Sequence, residues 1–266
     1  MPSTPEARSL AVFCDFENVA LGVREAKYAQ FDMEKVLERL LAKGSIVVKK
    51  AYCDWERYKE FKATMHASAF ELIEIPHVRQ SGKNSADIRM VVDALDLCYT
   101  KAHVDTFVIV SGDSDFSPLV SKLRENAKTV IGVGVKNSSS DLLINNCDEF
   151  IYYDDLVRAE EQKRRAAKKR RESAPAGEDR KGEDKKQEAF DLMVETLNAL
   201  IAERGEDERI WGSMIKQALK RRKPGFNESY YGFRAFSDLL EEAGARGLVK
   251  LEPDEKSGGY LIRPAA

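Results

Sequence analysis

The chain has 266 residues and a formal net charge of −2, with 43% hydrophobic and 33% charged residues. This composition supports a sizeable core beneath a well-solvated surface and excludes a membrane-embedded protein. The apolar stretch at residues 10–13 is too short for a signal sequence and is soon followed by Asp15, so we expect a cytoplasmic protein. The four cysteines form no Cys-x-x-Cys pair, which indicates free buried thiols rather than a disulfide framework or a zinc site.

Strand and helix patterns alternate through the first 155 residues. Short apolar runs predict strands at residues 10–14, 46–53, 72–75, 106–110, 129–135 and 149–153. Helical spacing of apolar residues predicts helices from Asp32 to Gly44, at about 56–69, from Asp87 through Val91, Val92, Leu95 and Cys98, after Pro118, and around 141–146. Such alternation is typical of an α/β domain with a mostly parallel sheet and helices on both faces.

The remaining sequence indicates a linker and a second, smaller domain. Charge dominates residues 158–186, where apolar periodicity fails and Pro175 breaks any helix, so this segment is predicted to be a linker that is helical in its first half. Apolar periodicity resumes after it. Helices are predicted up to about residue 201, at 211–221 and at 229–243, followed by strands at 249–251 and 260–262. Three helices and a hairpin match a winged helix-turn-helix outline.

Four aspartates, Asp15, Asp87, Asp113 and Asp115, lie where predicted strands end or helices begin. If strands one to three extend to one side and strand four returns beside strand one, these carboxylates meet at the crevice where strand order reverses. Two carboxylates about 4 Å apart repel by about 4 kcal/mol at an effective dielectric of 20, so a compensating cation is expected. Oxygen ligands without His or Cys favour Mg²⁺ or Mn²⁺.

Such a site suits phosphodiester hydrolysis, in which a divalent cation neutralises developing charge and activates water. Glu17 and Asn18 are further candidates for the ligand set or its hydrogen-bonding partners, and Ser111 is a candidate for positioning a water. The alternative is structural, because Asp and Asn at strand ends and helix starts often serve only as caps and turn formers.

Several motifs, taken together and in order, resemble the NYN domain of the PIN-like nucleases over about residues 9–157. They are Asp15-Phe16-Glu17-Asn18, Gly82 to Asp87, Ser111 to Phe116 and Cys147 to Ile151. The resemblance implies a PIN-like Rossmannoid three-layer fold and metal-dependent ribonuclease chemistry. It assigns the family's acidic residues to Asp15, Asp87, Asp113 and Asp115, with Asn18 as an accompanying polar position.

Residues 187–263 resemble the OST-HTH domain, also called LOTUS, through Trp211-Gly212, Tyr231 to Phe236 and Gly259 to Ile262. That family is a winged helix associated with RNA binding, which implies an RNA partner and leaves room for a protein partner. The periodic aromatic residues of this region are interpreted chiefly as core rather than as base-stacking platforms. The domain limits predicted here are 9–157, 158–186 for the linker and 187–263.

Basic residues supply the candidate contacts with nucleic acid. Lys83 and Lys136 lie in loops predicted to rim the crevice, whereas Lys216, Lys220 and Arg221 form the basic end of a C-terminal helix. Solvated surface charge explains all five equally well.

We therefore weigh a ribonuclease, with internal cleavage expected, against a non-catalytic RNA-binding scaffold. A phosphatase is disfavoured, because Glu17 stands where a second Asp is needed two residues after Asp15.

Overall fold

A computed structural model describes residues 8–28, 30–75, 85–172, 180–205, 208–254 and 259–265, except for the side chains of residues 163–182 and 184. The chain divides into two compact units, Met1–Leu37 with Ser45–Lys169, and Glu38–Gly44 with Arg170–Ala266. Each unit has its own hydrophobic core. Across the described ranges, no helix is both long and apolar enough to cross a membrane.

The first unit is built on a six-stranded sheet with the order β3-β2-β1-β4-β5-β6. Its strands are β1 (Arg8–Asp15), β2 (Gly44–Cys53), β3 (Glu71–Glu74), β4 (Thr106–Val110), β5 (Thr129–Gly134) and β6 (Glu149–Tyr152). The described pairings β2–β3, β1–β4, β4–β5 and β5–β6 are all parallel. Every residue of β4 is buried, which is typical of a central parallel strand covered on both faces. The α/β class and the predicted return of the fourth strand beside the first are confirmed.

Helices occupy the connections between these strands, and one further helix, α7, follows β6. They are α1 (Phe16–Glu25), α2 (Met33–Lys43), α3 (Lys59–Ala67), α4 (Ser85–Thr100), α5 (Ser117–Glu125), α6 (Asp141–Asn146) and α7 (Tyr153–Glu172), with 3-10 turns at Ser114–Phe116 and Lys136–Ser138. Of these, α1 was not predicted from the sequence, although Phe16, Val19 and Val23 have helical spacing and are buried.

The predicted helix through Val91, Val92, Leu95 and Cys98 is present as α4. Its residues Met90, Ala94 and Cys98 are buried against the sheet, whereas Val92 is 56% exposed. The apolar residues of α4 lie on more than one face, so periodicity alone does not identify the face that packs. The four cysteines are free, as predicted, and three of them are buried.

The second unit contains α8 (Arg180–Arg204), α9 (Gly212–Arg222), α10 (Phe236–Ala245), β7 (Val249–Asp254) and β8 (Gly259–Pro264), and the two strands pair antiparallel. The single helix predicted at 229–243 was wrong. A 3-10 turn at Glu228–Tyr231 ends at Gly232, whose φ of 88° lies in the left-handed region, and α10 begins four residues later. Phe233 and Phe236 are nevertheless buried, in agreement with their predicted core role.

Regular helix also extends into the predicted linker. α7 continues to Glu172 and α8 begins at Arg180, so most of residues 158–186 have helical backbone, while residues 173–179 lie outside the described chain. The helix expected in the first half of the linker is therefore present, and the helix at residues 180–186 was not predicted. Runs of Lys, Arg, Glu and Ala favour helix even where they lack a continuous apolar face.

At Gly112, the loop after β4 lies so close to the turn after β5 that this position has no room for a side chain. A Cβ atom on Gly112 would stand 2.4 Å from the carbonyl oxygen of Ser138 and 2.9 Å from the Cα atom of Ser139. The N–H group of Ser140 also donates to the carbonyl oxygen of Gly112 over 2.9 Å. Both neighbouring atoms belong to backbone, so a side chain at Gly112 forces the two loops apart.

We predict that Gly112→Ala lowers the free energy of unfolding by about 1–3 kcal/mol, the usual range for overpacking against atoms that cannot move aside. Thermal and urea unfolding measure the change. Gly225→Ala is the control, because a Cβ atom on Gly225 has no described atom within 4 Å. Equal stability of Gly112→Ala and the unmutated protein would contradict the close approach of the two loops.

Candidate functional site

The pairing register of β1 and β4 determines the position of the first candidate carboxylate. Cys14 pairs with Val110, so the next residues along the two strands, Asp15 and Ser111, lie side by side. The hydroxyl of Ser111 donates to Oδ2 of Asp15 over 3.0 Å. Asp15 also caps α1, since its Oδ1 accepts a hydrogen bond from the N–H group of Asn18 over 3.3 Å. Only 7% of Asp15 is exposed.

Asn18 and Ser111 hold the loop after β4 against the start of α1. The N–H group of Gly112 donates to Oδ1 of Asn18 over 2.9 Å, and the N–H group of Asp113 donates to Oγ of Ser111 over 3.2 Å. Ser111 is fully buried. In this structure its hydroxyl bonds to the side chain of Asp15 and to the N–H group of Asp113, and so orients both.

An aromatic cluster fixes the first turn of α1 beside this loop. Phe16 is fully buried, and its ring centroid lies 5.0–6.0 Å from those of Phe31, Trp55, Tyr58 and Phe61. Rings at these separations are in favourable contact. Because Phe16 directly follows Asp15, this packing restrains the backbone that carries the carboxylate.

The charges of the four aspartates influence one another. The pKa of Asp15 is raised to about 7, chiefly by burial and less by the charges of Asp87 and Asp113, against the opposing effect of the hydrogen bonds from Asn18 and Ser111. The pKa of Asp87 is raised to about 6, chiefly by burial, with smaller contributions from Asp113, Asp115 and Glu17. Carboxylates couple in this way only when they lie near one another in a poorly solvated place.

Two aspartates also have the structural role that was the alternative interpretation. Asp15 is the N-cap of α1, and Asp113 is the N-cap of the 3-10 turn Ser114–Phe116, where its Oδ1 accepts from the N–H group of Asp115 over 3.0 Å. Asp87 lies in the first turn of α4, which begins two residues before the predicted start. An aspartate here can therefore cap a helix and also repel its neighbours, because the capping residues at neighbouring strand ends face the same crevice.

Oxygen donors at this crevice fit a hard divalent cation. Among the described residues, no group of three or more His, Cys, Asp and Glu side chains is arranged to hold a metal ion. Mg²⁺, however, commonly takes only one or two protein carboxylates and completes its shell with waters and substrate phosphates. Glu17, the other acid considered, is paired with Arg57, whose Nη1 lies 3.1 Å from its Oε1.

The candidate nucleic-acid residues have different environments. Lys83 lies outside the described residues, and Lys136 is exposed, with its Nζ 6.0 Å from the ring centroid of Tyr152. Lys216 forms an ion pair with Glu228 over 2.8 Å. Lys220 is exposed, whereas burial lowers the pKa of Arg221.

Comparisons with known proteins agree with the fold of the first unit. The family model described as the NYN domain matches residues 9–154. An uncharacterized protein of Methanocaldococcus jannaschii is 29% identical over 125 residues, which are 47% of this chain and 49% of that protein. The chain therefore spans about half the length of this curated relative. A crystal structure of a Vibrio parahaemolyticus protein of unknown function is 27% identical with a TM-score of 0.52, covering 58% of this chain and 98% of that one.

We predict that Asp15→Asn stabilises the protein and that the gain grows with pH. The folded-state pKa of about 7 exceeds the unfolded value of about 3.9, so the unfolded state releases its proton first and stability falls as pH rises from 4 to 7. A shift of three units corresponds to about 4 kcal/mol at most, and an asparagine can still cap α1. We expect a gain of about 1–3 kcal/mol at pH 8 and little gain at pH 4.

Urea unfolding at both pH values measures this difference. Asp96→Asn is the control, because Asp96 is an exposed carboxylate on α4, nine residues after Asp87. A pH-independent effect of Asp15→Asn would show that the carboxylate is not destabilised where it lies.

Proposed function

Since the chain belongs to the NYN domain family, a family of PIN-like nucleases, we propose that it is a metal-dependent ribonuclease that cleaves RNA phosphodiesters internally. The observation that carries this proposal is the position of Asp15, which is buried at the end of β1 and joined through Ser111 to the loop that carries Asp113, and neighbouring carboxylates help to raise its pKa. Residues that destabilise one another in this way are more often functional than structural. The relatives reported above have no assigned activity, so RNA as substrate is part of the proposal.

Asp15, Asp87, Asp113 and Asp115 would hold Mg²⁺ or Mn²⁺, whose charge offsets their mutual repulsion. When bound, such a cation supplies positive charge opposite the phosphodiester and acidifies a water molecule. The chain's own contribution is orientation. Ser111 fixes Oδ2 of Asp15, and Asn18 fixes the loop that carries Asp113, so we assign Asn18 a positioning role in the catalytic set.

We further propose that residues 187–263 form a winged helix of the OST-HTH type that recruits RNA or a protein partner, after a linker at 158–186. The helices α8, α9 and α10, the β7–β8 hairpin and their common core support this assignment. Within this unit Lys220 is the better candidate for a phosphate contact, because it is exposed while Lys216 already pairs with Glu228.

A nuclease that acts on cellular RNA would work in the cytoplasm, which is the location we propose.

Asp113→Asn should lower RNA cleavage by at least about 100-fold, the usual effect of removing one group from a preorganised electrostatic site. Cleavage of a labelled single-stranded RNA in Mn²⁺ or Mg²⁺ measures it. The amide oxygen of the substituted side chain can still accept the hydrogen bond from the N–H group of Asp115, so the loop should remain folded. Asp96→Asn is the matched control, because Asp96 is an exposed carboxylate on α4 about two and a half turns from Asp87.

Equal cleavage by the unmutated protein and Asp113→Asn would dismiss the nuclease assignment. The second candidate function is a non-catalytic RNA-binding scaffold. It is supported by the lack, among the described residues, of three side chains already arranged around a metal position. RNA binding that is indifferent to divalent cations, without cleavage, would favour this scaffold.

A further inference from the structure

A largely buried hydrogen-bond network joins α4 to the sheet at Asp93. The side chain of Asp93 is 12% exposed, and its Oδ2 accepts a hydrogen bond from the hydroxyl of Tyr52 over 2.9 Å. Nζ of Lys50 lies 3.4 Å from the same oxygen, and Nε of Arg89 donates to Oδ1 over 3.0 Å. Tyr52 and Lys50 are two residues apart on β2, so their side chains point to the same face of the sheet, which α4 covers.

Asp93 lies at the edge of an otherwise apolar contact. Met90, Ala94 and Cys98 belong to one core cluster with Tyr52, which is fully buried. The hydroxyl of Tyr52 extends from this cluster to Asp93. A buried hydroxyl that loses its acceptor is left unpaired, and this costs more free energy than the hydrogen bond itself contributes. The contact therefore disfavours any placement of α4 that moves Asp93 away from Tyr52.

Apolar burial alone discriminates little between two faces in the N-terminal half of α4. Ile88 and Val92 lie one turn apart and are 64% and 56% exposed, whereas Met90 and Ala94, also one turn apart, are fully buried. Burying either pair removes apolar surface of similar size from water. A polar contact in an apolar interface can select one arrangement where apolar packing allows several. On α4 the contact that does so is the one between Asp93 and Tyr52.

The placement of α4 also determines where Asp87 lies. Asp87 is in the first turn of α4, six residues before Asp93, and a rise of 1.5 Å per residue separates the two by about 9 Å along the helix axis. Asp87 lines one cavity together with Ser114 and Asp115. Because the backbone between Asp87 and Asp93 is continuous helix, a rotation fixed at Asp93 is also fixed at Asp87.

We propose that Asp93 and Tyr52 are positioning residues, whose hydrogen bond fixes the rotation of α4 and thereby holds Asp87 in the candidate cation site. The proposal rests on the ribonuclease function proposed above and assigns two further residues to the same site. Asp93 does not itself bind the cation, because its oxygens already accept from Tyr52 and Arg89 and lie beside Lys50.

Two variants remove this hydrogen bond with little change of shape. Tyr52→Phe deletes only the hydroxyl, and Asp93→Leu replaces the carboxylate by an apolar side chain of similar size. Asp93→Asn keeps an oxygen that can accept from Tyr52. Tyr99→Phe is the matched control, because it deletes an exposed hydroxyl on the same helix, one that accepts a hydrogen bond from Asn126.

Cysteine alkylation in the full chain measures the packing of α4. Iodoacetamide labelling followed by peptide mass spectrometry gives the rates at Cys98, on the packed face of α4, and at Cys14, in β1. Tyr52→Phe and Asp93→Leu should raise the rate at Cys98 by about fivefold, which is the factor that corresponds to one hydrogen bond, and leave Cys14 unchanged. Cys14 is fully buried in the sheet, so its labelling measures unfolding of the whole unit.

Mn²⁺ affinity measures the consequence at Asp87. Calorimetric titration of Mn²⁺ into the full chain should give a Kd raised by about tenfold in Tyr52→Phe and Asp93→Leu, the lower end of the effect of removing a group that orients a metal ligand. Asp93→Asn and Tyr99→Phe should bind Mn²⁺ as the unmutated protein does.

Equal acceleration at Cys98 and Cys14 with unchanged Mn²⁺ affinity would overturn the proposal, because the contact would then only stabilise the fold. Weaker Mn²⁺ binding in both Asp93 variants but not in Tyr52→Phe would also overturn it, since the charge of Asp93 and not its hydrogen bond would then matter.

Two further outcomes separate this inference from its premise. If the unmutated protein binds no Mn²⁺ and cleaves no RNA, the proposed function fails, and the labelling of Cys98 alone decides whether the contact positions α4. If the unmutated protein cleaves RNA and Tyr52→Phe matches it in Mn²⁺ affinity and in labelling, only the positioning role fails.

Discussion

The parallel pairing of β1 with β4 is the constraint on which the candidate site depends. It joins two strands that are far apart in the chain, and its register places Asp15 beside Ser111. From that point the hydrogen bonds of Ser111 and Asn18 hold the loop that carries Asp113. Strand order reverses at this pair, with β2 and β3 on one side and β5 and β6 on the other, so a crevice opens at the carboxyl ends of the strands.

Charge at this crevice opposes the stability of the fold. Asp15 is buried and close to other carboxylates, so its ionised form is unfavourable there although two hydrogen bonds favour it. The ionised form of Asp87 is also unfavourable, although Asp87 is less buried than Asp15. Proteins retain carboxylates that repel one another when the binding of a cation or substrate offsets the repulsion. We therefore connect this repulsion with function rather than with capping alone.

The sequence was sufficient for the features that depend on local pattern. The buried run at residues 106–110, the end of β1 at Asp15 and the return of β4 beside β1 followed from apolar runs and from the rules of parallel sheets. The features that depend on how the elements pack could not be predicted from the sequence. α1 was not predicted although Phe16, Val19 and Val23 have helical spacing, and the exposure of Val92 depends on which face of α4 meets the sheet. The ion pair of Lys216 with Glu228 joins residues twelve positions apart across a turn that helical periodicity did not reveal.

The most direct test of the proposed cation site is a calorimetric titration of Mn²⁺ into the protein at pH 6.5, repeated in buffers of different ionisation enthalpy. The raised pKa values of Asp15 and Asp87 mean that a cation binding there must displace protons, so the observed heat should depend on the buffer. We predict a saturable, proton-releasing heat for the unmutated protein that disappears in the double variant Asp15→Asn, Asp113→Asn. The same heat in both proteins, or none in either, would contradict the claim that these carboxylates form a cation site.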